Sequence, residues 1–211
     1  MNTFKKVIGA SLLALASLSA SADVQTIGGV TWDPDYDGGA FGEDFISFGA
    51  FRQWYAIAPG LTPDGIPDSG LVTAPGTVGS VLQGAGEITG LNGSSTFVCA
   101  TCELTFTFGG LVFDNDLTDG SVFDLGASAT SGFFNIYYDS TADFDPATVS
   151  SQADIDNTGD GSLWLSLSLD TLKEGVGFTP QIGSIDSFWS VTGGAADGHF
   201  DTDTLLGGAD L

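Results

Sequence analysis

Acidic residues stand at alternate positions from residue 33 to residue 37. Asp33, Asp35 and Asp37 occupy positions 1, 3 and 5 of a twelve-residue window, Gly38 follows at position 6, and Asp44 stands at position 12. Calcium is a hard cation that takes about six to eight oxygen ligands, and the loop of an EF-hand supplies them at this spacing. The sequence therefore predicts a calcium site formed by these aspartates.

This window departs from an EF-hand, so a solvated acidic turn stays open as the alternative. Position 12 is Asp rather than the longer Glu that binds calcium through both oxygens, Pro34 stiffens the start, and the flanks do not have the pattern of paired helices. Further Asp groups recur in predicted loops, where each one favours an Asx turn. They are Asp114, Asp116 and Asp119; Asp139, Asp143 and Asp145; Asp154, Asp156 and Asp160; and Asp197, Asp201 and Asp203.

Cys99 and Cys102 form a C-x-x-C pair, the only cysteines of the chain. In a cytosolic protein such a pair beside a helix indicates a redox dithiol. Here both flanks resemble strands, and no helix start follows that would lower a thiol pKa. Export favours oxidation, so we expect a small structural disulfide between Cys99 and Cys102. Two cysteines and one histidine are too few ligands for a structural zinc site.

Residues for catalysis are sparse. His199 is the only histidine, and no G-x-S-x-G nucleophile elbow precedes a helical pattern. A glycosidase that uses two carboxylates stays open because acids are abundant. Trp32, Trp54, Trp164 and Trp189 suit either core packing or stacking on sugar rings.

The composition narrows the class of protein. The 211 residues include 27 acids, 23 of them Asp, against 4 bases. Nucleic-acid binding through phosphates needs a basic patch, so this balance excludes it. Lys, Arg and Glu are scarce while 31 glycines are present, which disfavours a helical bundle. The 16 phenylalanines distinguish the chain from a disordered acidic tail.

Residues 1–22 have the features of a secretory signal peptide. Lys5 and Lys6 form the positive start, residues 7–18 are an apolar stretch too short for a membrane span, and Ala20, Ser21 and Ala22 supply the cleavage site. No later segment is apolar enough to span a membrane. Cleavage leaves one acidic domain, residues 23–211, with two bases against 27 acids and a net charge of −25. Because this charge repels itself, we expect calcium to stabilise the fold or promote association.

Apolar residues alternate with polar ones in several segments, which predicts β-strands. In residues 103–108 the apolar side chains Leu104, Phe106 and Phe108 share one face. The same alternation occurs in residues 133–138 and in residues 162–170, where leucines alternate with Trp164 and serines. Weaker candidates are residues 24–32, 120–125, 184–191 and 44–57, the last of which also suits a helix. Gly and Asp clusters separate these segments, so we predict an all-β fold, a single antiparallel β-sandwich resembling a jelly roll.

Two parts of the sequence resemble a known family. Residues 99–110, from Cys99 through Cys102 to a Glu-Leu-Thr-Phe-Thr-Phe-Gly-Gly run, resemble a segment of exported Gram-negative PEP-CTERM proteins, which exosortases sort. Residues 193–211, with Asp201 and Asp203, resemble the region before their sorting tail. The tail itself, a Val-Pro-Glu-Pro or similar motif followed by an apolar helix and a basic cluster, is absent through Leu211. The resemblance implies an extracellular structural role, in some members linked to exopolysaccharide and biofilm matrix.

The sequence thus favours a secreted, non-enzymatic structural protein of the extracellular matrix or cell surface of a Gram-negative bacterium. Its expected partners are extracellular polysaccharide or copies of itself, with calcium as the cofactor. Residues 23–31 are a candidate donor strand for an open sheet edge of a neighbour. A carbohydrate-binding module or a carbohydrate-active enzyme is the alternative.

Overall fold

The described part of the chain contains eight β-strands and one helical turn. The fold comes from a computed structural model that describes residues 24–34, 36, 45–56, 81–112, 132–149, 156–174 and 185–200. The predicted signal peptide and the strand candidate at residues 120–125 lie outside these residues. Among the residues described, no helix is long and apolar enough to cross a membrane. The elements are β1 Gln25–Ile27, β2 Val30–Trp32, β3 Ser47–Ala56, β4 Val81–Leu91, β5 Glu103–Val112, β6 Phe133–Asp139, β7 Ser162–Glu174, β8 Ile185–Gly193 and α1 Asp197–Phe200.

The strands pair only in antiparallel fashion in the described ranges. Strands β3 to β8 form one six-stranded sheet in the order of the sequence, and β1 pairs with β2 in a separate hairpin. The predicted all-β antiparallel class is therefore confirmed, and the ambiguous segment at residues 44–57 contributes strand β3. Each described strand of the large sheet pairs with its neighbour in sequence, which is a meander. The jelly-roll connectivity is not confirmed.

The hairpin β1–β2 packs on one face of the sheet, which we call the hairpin face. Val30 and Trp32 of β2 are buried there against Leu104 of β5 and Trp164 of β7. The rings of Trp32 and Trp164 meet edge to face with centroids 5.5 Å apart, and Phe200 of α1 stacks on Trp32 at 5.6 Å. Large aromatic side chains bury extensive apolar area, so this cluster is the main core of the described fold.

A β-bulge in β7 corrects one sequence prediction. Strict alternation puts Leu163 on the face of Leu165 and Trp164 on the opposite face. In the structure Ile136 pairs with Leu165 and Tyr137 with Leu163, so Trp164 is the extra residue of a bulge. Trp164 and Leu165 are consequently both buried, whereas Leu163 is 41% exposed.

The turn of the hairpin depends on two glycines. Gly28 and Gly29 have φ angles of 55° and 89°, a region that L side chains rarely adopt. A Cβ atom at Gly29 would lie 2.3 Å from the ring of Tyr138, so the close approach also requires glycine. The Nε1 atom of Trp164 donates a 2.8 Å hydrogen bond to the carbonyl oxygen of Ile27 and ties the hairpin to the sheet.

The connection between β6 and β7 covers the opposite face, the loop face. This crossing loop is described at residues 140–149 and 156–161. Its side chains Phe144 and Val149 are buried with β4. Arg52 of β3 donates from Nε to the carbonyl oxygen of Pro146 at 2.8 Å and from Nη2 to that of Ala147 at 2.6 Å. The sheet is therefore covered by the hairpin on one face and by a loop on the other.

Candidate functional site

The predicted calcium loop is mostly outside the described residues. Asp35, Asp37 and Asp44 lie there, so their arrangement stays a prediction. Asp33 is described: its backbone carbonyl oxygen accepts hydrogen bonds from Asn92 Nδ2 at 2.9 Å and from the Tyr36 amide at 3.2 Å. These contacts hold the chain after β2 against the β4–β5 turn.

Three other carboxylates come together at one end of the loop face. Glu103 begins β5 and pairs directly with Asp139, the last residue of β6, while Asp143 follows in the crossing loop. One oxygen of each carboxylate lies within 4.8 Å of the other two. We call these three residues the carboxylate cluster.

Backbone hydrogen bonds position the loop side of the carboxylate cluster. The amide of Thr141 donates to Oδ1 of Asp139 at 2.9 Å, and the amide of Ala142 donates to the carbonyl oxygen of Thr101 at 2.8 Å. These bonds turn the chain back over β5 immediately after β6 ends. Asp143 is thereby brought next to a residue forty positions earlier in the sequence, Glu103.

Glu103 is the unusual member of the cluster because it is only 2% exposed. The amide of Phe144 lies 3.2 Å from both Oε1 and Oε2 and donates to the carboxylate. The pKa of Glu103 is raised to about 7, chiefly by burial and in addition by the charges of Glu87 and Asp143, while hydrogen bonds from the amides of Asp143 and Phe144 act in the opposite direction. Burial makes the ionised carboxylate costly when no cation is nearby, so it favours the protonated carboxyl group.

Neighbouring acids increase the negative charge of this region. Burial, and secondarily the charge of Asp145, raises the pKa of Glu87. Partial desolvation, and then a side-chain hydrogen bond with Asp139, raises the pKa of Asp160. A cation placed here would offset the cost of holding these carboxylates partly out of water and close to other acids.

The geometry of the carboxylate cluster suits a hard divalent cation. Calcium binds oxygens at about 2.3–2.6 Å, so two oxygens on the same ion lie no more than about 5 Å apart. The separations within the cluster meet this limit. Asp143 is exposed and Asp139 half-buried, which leaves access for water to complete the coordination.

A groove of aromatic side chains lies on the hairpin face, beyond the area that the hairpin covers. Its volume is about 300 Å³, and its lining comes from β3, β4, β5, β6 and β8. The lining residues are Phe51, Gln53, Leu82, Phe106, Phe108, Leu111, Phe134, Ser187 and Trp189. Strands lie about 4.8 Å apart, so the two edge strands of a flat six-stranded sheet would be too distant to line one such groove. The sheet must curve toward the hairpin face.

Two glycines of β4 make room for the aromatic side chains of the groove. A Cβ atom at Gly84 would lie 2.4 Å from the ring of Phe108, and one at Gly86 would lie 2.4 Å from the ring of Phe106. The rings of Phe106 and Phe134 stack with centroids 4.9 Å apart. The side chains of β3 and β5 can therefore meet above β4.

The groove does not combine its aromatic rings with carboxylates among the described residues. Trp189 lines the groove, whereas Trp32 and Trp164 belong to the core. The carboxylate cluster lies on the opposite face, and none of the described residues that line the groove is an acid. His199 is exposed in α1, with its ring edge-on to Trp32 at 5.9 Å. The described part of the chain thus offers no pair of carboxylates in the groove for glycoside hydrolysis.

Cys99 and Cys102 form the predicted disulfide. It closes a turn between β4 and β5, in which the amide of Cys102 donates to the carbonyl oxygen of Cys99 at 3.1 Å. The disulfide thus adjoins Glu103 of the carboxylate cluster along the chain.

Comparison with known proteins adds no relative to these observations. No protein-family model matches the chain, and neither a curated protein nor a solved structure is significantly similar to it.

Proposed function

We propose that the chain is an exported, non-enzymatic structural protein of the extracellular matrix or cell surface of a Gram-negative bacterium, which associates with copies of itself in the presence of calcium. The observation that carries this proposal is the composition and exposure of the edge strand β3. The signal-like residues 1–22 and the resemblance to PEP-CTERM proteins support the compartment.

Strand β3 lacks the features that protect sheet edges from association. Within the described residues it pairs with β4 and with no other strand. Its ten residues include no acid in a chain that has 27, and its single charged residue, Arg52, donates to carbonyl oxygens of the crossing loop. Phe48 and Phe51 are 61% and 53% exposed. Long edge strands with exposed apolar residues and little charge favour pairing with another strand.

Pairing of β3 with β3 of a second copy would add no local repulsion between carboxylates to the general repulsion between the two acidic chains. A net charge of −25 repels copies from each other, but this edge brings no carboxylate opposite a carboxylate. Isologous pairing of one patch with itself is the commonest route to a dimer. Two sheets joined in this way would form one continuous antiparallel sheet.

We favour association through the edge of β3 over donation of residues 23–31 to a neighbouring copy. In those residues β1 is already hydrogen-bonded to β2, and Ile27 accepts the hydrogen bond from Trp164. Donation to a neighbour would break these contacts and uncover Trp32 and Val30 of the core.

Calcium supports association by reducing the charge of each copy. The carboxylate cluster supplies three oxygens at suitable separations, and the predicted loop at Asp33, Asp35, Asp37 and Asp44 supplies a second candidate site. Binding at the carboxylate cluster would also tie the crossing loop to β5. Association and loop stability are thereby expected to depend on the same cation.

The test is the oligomeric state of residues 23–211 by sedimentation, in calcium and in chelator. We expect concentration-dependent dimers or larger species in calcium and mainly monomers in chelator. Phe51→Asp should abolish association, because it puts a charge on the edge. Leu163→Asp is the matched control: Leu163 is also partly exposed but lies in the interior strand β7, so this variant should associate normally. A chain that is monomeric in both conditions, or equal losses in the two variants, would exclude the proposal.

A second function, carbohydrate binding through the groove, is favoured by one observation. Trp189 lines the groove together with the polar side chains of Gln53 and Ser187, and sugars bind where aromatic faces and hydrogen-bonding groups adjoin. Titration calorimetry with extracellular polysaccharide tests it. We expect measurable heat that is lost in Trp189→Ala, and no heat from the unsubstituted chain contradicts this function.

A further inference from the structure

The two sulfur atoms of the Cys99–Cys102 disulfide are unequally accessible. Cys99 is exposed, whereas Cys102 is half-buried next to the first residue of β5. A thiolate attacks a disulfide along the sulfur–sulfur axis, so it must reach one sulfur from the side away from the other. Exposure therefore directs attack to the Sγ atom of Cys99, with Cys102 as the leaving sulfur.

A hydrogen bond favours the same direction of exchange. The Sγ atom of Cys102 lies 3.0 Å from the hydroxyl oxygen of Tyr138. A disulfide sulfur carries no proton, so the hydroxyl is the donor. The corresponding contact of Cys99, to Oγ1 of Thr101, is longer at 3.5 Å and exposed to water. A donated hydrogen bond stabilises the thiolate that forms on the leaving sulfur, and a more stable thiolate leaves faster.

Tyr138 is held in place before any exchange occurs. It lies in β6 opposite Leu104, and its ring fills the space above Gly29 of the hairpin turn. The hydroxyl group therefore does not need to be ordered when the disulfide is cleaved, and the stabilisation is available at once.

A cavity of about 380 Å³ adjoins the disulfide and determines which thiols suit it. Both cysteines line it together with the acids Glu87 and Glu103. Ser95 and Thr96 add polar side chains to the lining. Two carboxyl groups in such a cavity favour a cation and repel an anion. The volume suits a small molecule rather than a protein loop.

We propose that the Cys99–Cys102 disulfide is an exchange site for a low-molecular-weight thiol that carries an ammonium group. The thiolate of this molecule attacks Sγ of Cys99, and a mixed disulfide forms there as the bond to Cys102 breaks. The electron pair of that bond goes to Sγ of Cys102, which becomes a thiolate hydrogen-bonded by Tyr138. Cys102 can then attack the mixed disulfide and release the thiol, or a second thiol can attack it and leave both cysteines reduced with one external disulfide formed.

Peptide mapping tests the direction of exchange. Residues 23–211 are incubated with excess cysteamine, quenched with acid, alkylated with N-ethylmaleimide and digested without reduction. We expect cysteamine on Cys99 and maleimide on Cys102. Cysteamine attached mainly to Cys102, or equally to both residues, overturns the proposal without any variant being needed.

Three variants test the assigned roles separately. Tyr138→Phe should slow exchange roughly three- to tenfold with every thiol, as expected for loss of one hydrogen bond to the leaving group. Tyr137→Phe is its matched control and should exchange at the normal rate. Glu87→Gln should reduce the preference for cysteamine over 2-mercaptoethanol, because the thiolate of 2-mercaptoethanol has no compensating ammonium group and should react faster once the Glu87 charge is removed. Circular dichroism identifies any variant that fails to fold.

Salt dependence separates charge recognition from accessibility. The preference for cysteamine should shrink in about 1 M sodium chloride, where the Debye length falls to about 3 Å. A preference that is absent at low salt, or a Tyr138→Phe variant that folds and exchanges normally, rejects the proposal.

Discussion

The two faces of the sheet differ in the kind of contact that the same strands make. On the hairpin face, alternate residues of β5 are Leu104, Phe106 and Phe108, which form the core and part of the groove. On the loop face, the residues between them begin with Glu103 and Thr105, which contact the crossing loop through hydrogen bonds. One strand therefore contributes apolar packing on one side and buried polar contacts on the other.

The difference indicates which contributions to stability should depend on solution conditions. Apolar burial on the hairpin face stabilises the fold regardless of ions or pH. The loop face holds Glu103 in a site where an unpaired charge is costly, so its contribution depends on pH. Substitutions on the two faces should therefore differ in size and in their dependence on conditions.

The largest effect is expected for Trp164→Ala on the hairpin face. The side chain is 1% exposed and donates to the carbonyl oxygen of Ile27 in the hairpin, so its loss leaves a cavity and removes this hydrogen bond. We expect the free energy of unfolding to fall by about 3–5 kcal/mol in urea titrations. Leu163→Ala is the control, because the preceding residue is 41% exposed and should cost much less. Equal losses would mean that the bulge does not bury Trp164.

A smaller effect on the same face is expected for Gly86→Ala. The added Cβ atom would lie 2.4 Å from the ring of Phe106 and 2.6 Å from the carbonyl oxygen of Ala50, which is backbone and cannot move freely. Overpacking of this kind costs about 1–3 kcal/mol, measured by urea titration. Gly90→Ala, where the nearest atom is 3.6 Å away, should be close to neutral. A neutral Gly86→Ala variant would show that the rings move aside.

On the loop face the expected effect depends on pH. Burial raises the pKa of Glu103 from 4.5 to about 7, so between these values the folded protein keeps a proton that the unfolded chain has lost. The contribution of this group to stability is present below the unfolded pKa and falls as the pH rises toward 7. In chelator, the free energy of unfolding of the unsubstituted chain should fall by an amount on the order of 2 kcal/mol as the pH rises through this range because of Glu103. We expect the Glu103→Gln variant not to show this fall.

Urea titrations at pH 4.5 and pH 8 measure this change as the difference between Glu103→Gln and the unsubstituted chain. Calcium at pH 8 should stabilise the unsubstituted chain and have less effect on Glu103→Gln, because the amide offers no charge. A difference between the two chains that is the same at both pH values contradicts the assignment.

The smallest effect is expected for Arg52→Met, which removes the side-chain hydrogen bonds from β3 to the crossing loop. The variant loses hydrogen bonds to the carbonyl oxygens of Pro146 and Ala147, but water can replace partly exposed partners. We expect a loss of about 1 kcal/mol and faster proteolysis within the crossing loop. The stability of Arg52→Lys should lie between that of the unsubstituted chain and that of Arg52→Met, since lysine can restore one hydrogen bond. Unchanged proteolysis would show that Phe144 and Val149 alone hold the loop.

Much of the sheet was predictable because a strand repeats with a period of two residues. The alternation in residues 103–108 and 133–138 gave strands β5 and β6 and the side chains that share the hairpin face. Residues 44–57 were ambiguous because their apolar spacing also suits a helix, and pairing with β4 made them a strand. The burial of Trp164 was missed since a bulge shifts the alternation by one residue and leaves no local signal.

The candidate site was predictable only in part. Asp139, Asp143 and Asp145 form a group in the sequence, but Glu103 looked like an ordinary polar residue at the start of a strand. Its role follows from the register that pairs it with Asp139 and from the crossing loop that buries it. The Asp33–Asp44 pattern was more evident because three of its acids occupy every second position of one short segment. Most of this segment lies outside the described residues.

The amino-acid sequence by itself determined the strand-forming segments, the disulfide partners and the excess of negative charge, because these depend on composition and on neighbours a few residues apart. Only the tertiary structure decided which acids meet, which side of β7 buries Trp164 and which strands lie at the edges of the described sheet. Those outcomes depend on strand register and on a loop that crosses the sheet, and both bring together residues that are distant in the chain.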